Sequence, residues 1–154
     1  MARDIADLVS GIVYEPTQTT DSGIALTASS VYTVDDPGRV DFGGDEMESA
    51  TLRPVETERR ESGDDYGWWN LEAGQYLVEF NESLDETARF EETAPAGEVA
   101  PPEFLLQTRT PVRVRGAFHP TLHVTSLDPV PFVVGGDGIR LKENARVSRL
   151  TILS

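Results

Sequence analysis

The feature that most restricts this chain is the rhythm of its apolar residues. They come in runs too short to give a helix a buried face, are rich in Val, Ile, Phe and Tyr, and stop at Gly, Pro or Asp. Candidate strands by this measure are residues 12–14, 24–27, 31–34, 39–42, 75–80, 104–108, 112–115, 121–125, 130–134, 139–141 and 147–153. β-Branched and aromatic side chains suit a pleated surface, whereas Gly, Pro and Asp supply turn geometry. Turn formers separate the runs at Asp35-Asp36-Pro37-Gly38, Gly43-Gly44-Asp45, Ala73-Gly74, Asp128-Pro129 and Gly135-Gly136-Asp137-Gly138. Only the opening reads as a short helix, with Ile5, Leu8 and Val9 at near-helical spacing and an end by Gly11. The expected class is all-β, a sandwich or barrel with one short N-terminal helix, in a single domain spanning 1–154. Residues 56–65 and 83–102, acidic or broken by proline, are expected to be loops.

Charge narrows the function classes. The chain has 13 basic and 27 acidic residues, a net charge of -14, which argues against a nucleic-acid or anionic-membrane binder. All but one of the basic residues are arginines, the exception being Lys142, as expected of a carboxylate-covered, halophilic surface. The charge is also divided along the chain. Residues 1–108 hold 24 acidic and 6 basic residues, a net of -18, and 109–154 hold 3 acidic and 7 basic, a net of +4. There is no cysteine, so disulfides, thiolate metal sites and thiol chemistry are excluded. With no apolar span and a charged opening, the expectation is a soluble, cytoplasmic protein.

Four constellations carry candidate chemistry. In His119-Pro-Thr-Leu-His123 the two imidazoles fall on one side if the segment is extended; without cysteine or a carboxylate in that strand, structural histidines are the simpler expectation than a metal site. In Arg109-Thr110-Pro111-Val112-Arg113-Val114-Arg115-Gly116 an extended chain puts Arg109, Arg113 and Arg115 on one face and Val112 and Val114 on the other. Three planar guanidinium forks then form a phosphate cradle, or partners for carboxylates from a neighbouring strand or subunit. Gly135-Gly136-Asp137-Gly138 lacks the Gly-Lys-Ser/Thr ending of a P-loop and is expected to be a hairpin turn. Tyr66-Gly67-Trp68-Trp69, with no arginine beside it in sequence, is expected to pack at a core edge or subunit contact rather than to stack on bases.

In order along the chain these pieces resemble the dCTP deaminase and dUTPase family. Gln18-Thr-Thr-Asp21-Ser22-Gly23-Ile24-Ala25-Leu26 is similar to the family's Gln-x-x-Pro-(Ala/Ser)-Ser-Val-Asp-Leu stretch, with Ala25 at the aspartate position. Leu71-Glu72-Ala73-Gly74-Gln75-Tyr76-Leu77-Val78 is similar to its Leu-x-Pro-Gly-Glu-Phe-x-Leu strand, and Arg109-Thr110-Pro111 to its Arg-Ser-Ser phosphate motif, closed by Gly116. Pro120 to Ser126 corresponds to the Ile-Thr-Leu-Glu-Leu-x-Asn strand, Val130-Pro131-Phe132 to Leu-Pro-Ile, and Arg146-Val147-Ser148-Arg149-Leu150 to the closing segment.

The resemblance implies a β-clip, a distorted barrel of the dUTPase type, assembled as a homotrimer with sites between subunits. It implies a pyrimidine deoxynucleoside triphosphate as ligand, deaminated at cytosine C4 or hydrolysed at the α-phosphate. No resident cofactor is implied, and the dUTPase branch uses Mg2+ carried by the triphosphate. Arg109 and Thr110, with Arg113 and Arg115, take the phosphate-binding role. The deaminase general base, a glutamate in the family, falls on His123, and the family's active-site hairpin is reduced to Ala117-Phe118. Glu79 or Glu82 is the alternative base. The rival expectation is a family member without catalysis that binds a nucleotide or serves as a protein-interaction scaffold.

Overall fold

The computed structural model describes residues 5–20, 23–84 and 103–153. It is mostly β, a strongly curled antiparallel half-barrel with only short helices. Among the described residues no helix is long and apolar enough to cross a membrane. A 3-10 turn at Ile5–Leu8 buries Ile5 and Leu8, as expected, and leads into β1 (Val9–Ser10). Two further one-turn helices, α1 (Glu15–Gln18) and α2 (Thr110–Arg113), were not expected.

β3 (Gly23–Asp36) is the spine. Its first half lies between β13 (Arg146–Leu153) on one edge and β2 (Thr19–Thr20) and β6 (Gly74–Phe80) on the other. From β13 the sheet continues to β8 (Glu103–Thr108) and the edge strand β10 (Leu122–Val124). From β6 it continues to β11 (Val130–Val134) and β9 (Ala117–Phe118). Two small ribbons flank this sheet: β1 with β7 (Ser83–Leu84), and β5 (Trp68–Leu71) with β12 (Ile139–Lys142).

Period-two alternation explains which faces are buried. In β8 Phe104, Leu106 and Thr108 point inward, and in β12 Ile139 and Leu141 do, while Arg140 and Lys142 point out. Phe104, Phe132, Leu26, Val78, Val147 and Leu150 belong to one buried core, each adding roughly 1.5–3 kcal/mol of apolar burial. The first half of β3 is buried on both faces, from Gly23 to Ala28.

Several expectations need correction. The runs 24–27 and 31–34 are one strand, because Ser29 and Ser30 stay in the ladder through a bulge opposite β6. Residues 12–14 are not a strand: Tyr14 precedes α1, its carbonyl accepting from Thr17 and Gln18. Residues 39–42 contribute only the bridge from Arg39 to Glu48, since the Asp41 carboxylate accepts the backbone N–H groups of Gly44 and Glu46 and shapes a turn instead. Residues 112–115 are not a strand either. Pro111 has no N–H for a ladder but fits the first turn of a helix, and α2 results, closed at Gly116 with φ of 92°.

Gly135-Gly136-Asp137-Gly138 does turn, with Gly138 N–H donating to the Gly135 carbonyl at 2.9 Å, but it is no hairpin. It passes the chain from β11 to β12, which pair with different partners. Gly138 has φ of 75° and lies against the Leu71 carbonyl, where a Cβ would collide. The 56–65 segment is a loop folded back by the bridge from Glu58 to Trp68. Of the expected 83–102 loop, Ser83 and Leu84 form β7, and 85–102 lie outside the described residues.

Beyond Tyr32, β3 leaves the half-barrel and pairs only with β4 (Thr51–Pro54). With residues 37–50 at its tip, this ribbon is an arm.

Candidate functional site

The late arginines do not share a strand face, because the segment turns into α2 instead of staying extended. Arg109 precedes the helix, anchored by its N–H to the Val147 carbonyl at 2.9 Å. Its Nη1 donates to the Arg146 carbonyl at 3.1 Å, and Arg146 Nη1 donates to the Thr17 carbonyl at 3.3 Å. The ends of β8 and β13 thus bring two cations together. Partial burial, and then the Arg146 charge, pull the Arg109 guanidinium below the ordinary arginine range. It remains a cation at neutral pH. Thr110 and Arg113 interact with each other, Nη2 to Oγ1 at 3.4 Å, and Arg115 Nη1 donates to the Pro111 carbonyl at 2.7 Å. Arg149 Nη2 donates to Gln107 Oε1 at 2.8 Å, and Arg140 points out from β12. Among the described residues, none of these six arginines forms an ion pair with a carboxylate.

The two histidines do not face one ligand. Phe118 ends β9 and Pro120 breaks the chain before β10, so the segment between them is not one extended strand. His119 is buried. Its Nδ1 lies 2.7 Å from the Pro120 carbonyl and its Nε2 2.6 Å from Ser148 Oγ. A carbonyl can only accept, so Nδ1 carries the proton and Nε2 accepts from the serine hydroxyl, which is the neutral tautomer. Burial pushes this imidazole below the ordinary histidine value, partly offset by the Pro120 hydrogen bond. Thr108 Oγ1 completes the clasp, accepting the His119 N–H at 2.9 Å and donating to its carbonyl at 3.2 Å. His123 points outward from edge strand β10, with Nε2 3.3 Å from Glu103 Oε2 and both side chains half exposed. It stands opposite Leu105, four residues before Arg109, so about 13 Å of strand separates the two. Among the described residues, no three His, Cys, Asp or Glu side chains gather where they could hold a metal.

Of the alternative bases, Glu79 accepts from the Tyr32 hydroxyl at 3.1 Å. Glu82 is buried, and its carboxylate is occupied by three donors: Thr27 N–H at 2.9 Å, the Thr27 hydroxyl at 2.6 Å and Gln18 Nε2 at 2.8 Å. The network runs on from Thr27 Oγ1 to Asn81 Nδ2 and from there to Asn144 Oδ1, each at 2.8 Å. Asn144 sits at φ 67°, a left-handed conformation that asparagine tolerates. Glu82 therefore pins α1, β3 and the turn after β6 together, with three donors on its carboxylate in a buried, structural role.

A second cationic place was missed by sequence reasoning. β5 and β12 present Trp68, Asn70, Arg140 and Lys142 on their outward face, with Lys142 opposite Trp68 in the ladder. The Arg60 guanidinium carbon lies 5.1 Å from the centre of the Trp68 ring and Lys142 Nζ 5.7 Å from it. The expectation that no arginine accompanies the aromatics is thereby corrected: Arg60 arrives from the folded-back 56–65 loop. Trp69 packs in the core as expected, buried with its Nε1 donating to the Val55 carbonyl at 3.1 Å. The platform floors an open groove of about 1320 Å³ that Arg115, Val114 and the Gly136–Gly138 turn complete. Of the four expected phosphate ligands, only Arg115 lines it; Arg109, Thr110 and Arg113 do not. No protein-family model matches the chain, and no curated protein matches it.

Proposed function

We propose that this chain is a β-clip protein of the dUTPase type that acts in pyrimidine deoxynucleotide metabolism, binding the triphosphate of dCTP or dUTP at the Arg109–Arg146 pair. One observation carries the reading: the Arg109 guanidinium lies on the main chain of Arg146 and within reach of its charge, and among the described residues the hydrogen bonds of both guanidiniums go to backbone carbonyls, in a protein of net charge -14. Mutual repulsion makes such a pair unfavourable when empty, and a phosphate group relieves it with charge-assisted hydrogen bonds. The strong curl of the antiparallel sheet supports the reading. The reading carries with it a homotrimer in the cytoplasm, with Thr110 as hydroxyl donor and Arg113 reaching the phosphates from α2, while Arg115, which lines the Trp68 groove, is left out of the phosphate site.

The chemistry is dCTP plus water giving dUTP and ammonia, or dUTP plus water giving dUMP and pyrophosphate. Each needs a base to take a proton from water. In this reading the base is His123, with Glu103 stabilising the imidazolium that forms. A second reading, nucleotide binding without turnover, is favoured by the exposure of His123 and its distance from Arg109 along β8.

Calorimetric titration with dCTP, dUTP and dTTP at high salt, alongside assays for ammonia and pyrophosphate, tests both. Binding with turnover, lost in Arg109→Ala and reduced only in turnover by His123→Ala, is the expected result. Binding without turnover establishes the second reading. No binding of any of the three overturns the proposal.

A further inference from the structure

We infer that the arm of one copy of this chain docks in the Trp68 groove of another copy. The arm tip is a built structure. Arg39 and Glu48 pair in the backbone and through their side chains at 2.7 Å, the Asp41 carboxylate ties down the turn, and Asp36 accepts the Gly38 N–H at 2.9 Å. This scaffold turns its apolar groups away from itself: Val40 is 88% exposed, Phe42 fully so and Met47 54%. A preformed loop that presents three large apolar side chains to water has the character of a contact surface.

Its charge selects the partner. Residues 37–50 hold Asp41, Asp45, Glu46 and Glu48 against Arg39 alone, a net of -3. The groove keeps a small excess of the opposite sign: Arg60, Arg115 and Arg140 on its walls, none paired to a carboxylate among the described residues, outnumber Glu72 and Asp137, and Lys142 lies over the Trp68 ring. It also offers apolar contact, through Trp68 and through Val114, which is 70% exposed. At about 1320 Å³ it is larger than the roughly 300–1,000 Å³ of small-molecule sites and suits a folded loop. No residue of the tip lines the groove of its own copy. The contact joins two different patches and is therefore heterologous, the kind that builds rings. It stands independently of the Arg109–Arg146 reading.

Sedimentation of the full chain and of two variants, Phe42→Asp in the arm and Arg140→Glu in the groove, tests the inference. Both side chains are solvent-facing, and circular dichroism checks that the variants fold. The wild type is expected to self-associate, and each variant to weaken that association roughly tenfold or more. The decisive arm mixes the two. A Phe42→Asp copy keeps its groove and an Arg140→Glu copy keeps its arm, so together they form a complex of two copies and no larger, with a change in tryptophan fluorescence. A monomeric wild type, variants that assemble as the wild type does, or a mixture that forms no pair each overturns it.

Discussion

Arg39 and Arg53 on the arm carry the same group as Arg109 and Arg146 at the ends of β8 and β13, yet they are placed under opposite conditions. On the arm each guanidinium meets a carboxylate, Glu48 at 2.7 Å and Asp35 at 2.9 Å. From residue 109 onward each arginine that has a hydrogen-bond partner among the described residues bonds a carbonyl, a hydroxyl or an amide. Acids are abundant in this chain, so the difference is one of placement. The two arginines of the arm are neutralised by neighbouring acids, whereas the arginines from 109 onward have no carboxylate partner among the described residues.

The contrast can be broken most forcefully at a carboxylate. Glu82→Ala strands the Thr27 N–H and Gln18 Nε2 in the interior, and a loss of about 3 kcal/mol or more in urea unfolding is expected. Glu48→Ala on the arm is expected to lose no more than about 1 kcal/mol. Equal losses would mean that the two environments do not differ as described.

Next in size is binding. Arg109→Ala is expected to weaken dCTP or dUTP binding by about 1.5–3 kcal/mol, the range for a hydrogen bond to a charged group, whereas Arg53→Ala leaves it unchanged. A matching loss in Arg53→Ala would erase the contrast.

A smaller effect separates the histidines. The unfolded His119 imidazole titrates at its ordinary 6.5, and burial holds the folded one lower. Just below 6.5 the unfolded state therefore binds more protons. The stability that depends on neutral His119 is whole above 6.5 and declines as pH falls from there toward the folded value. Thermal midpoints of the wild type and His119→Gln, followed from about pH 8 down to about pH 5, should converge on acidification. A constant gap would assign the proton elsewhere. Smallest of all, Arg39→Ala is expected to shift stability by no more than about 1 kcal/mol, an amount that shrinks with added salt.

The strands of the half-barrel were legible because burial on one face writes a period of two into residues such as Phe104, Leu106, Ile139 and Leu141. The turn at Gly135–Gly138 was legible too, but not that it changes partners, since pairing is decided by β5 and β6 far away in sequence. Arg109 to Arg115 misled for a local reason: alternating Val and Arg looks extended, and Pro111 decides otherwise. His119 and His123 have the right spacing for a shared face, yet Pro120 and the end of β9 part them. Nothing local announces the Glu82 network, whose members Gln18, Thr27, Asn81 and Asn144 come from separate elements. The same is true of Arg146 beside Arg109 and Arg60 over Trp68.

β3 supplies the floor of the half-barrel and also the stalk that carries the tip. Because a single strand, bulged at Ser29 and again before Asp36, joins them, the tip behaves as the end of a lever whose fulcrum is the core. A neighbour seated there inherits one fixed angle from one copy to the next, so the number of members in a closed assembly is set by how far this strand twists.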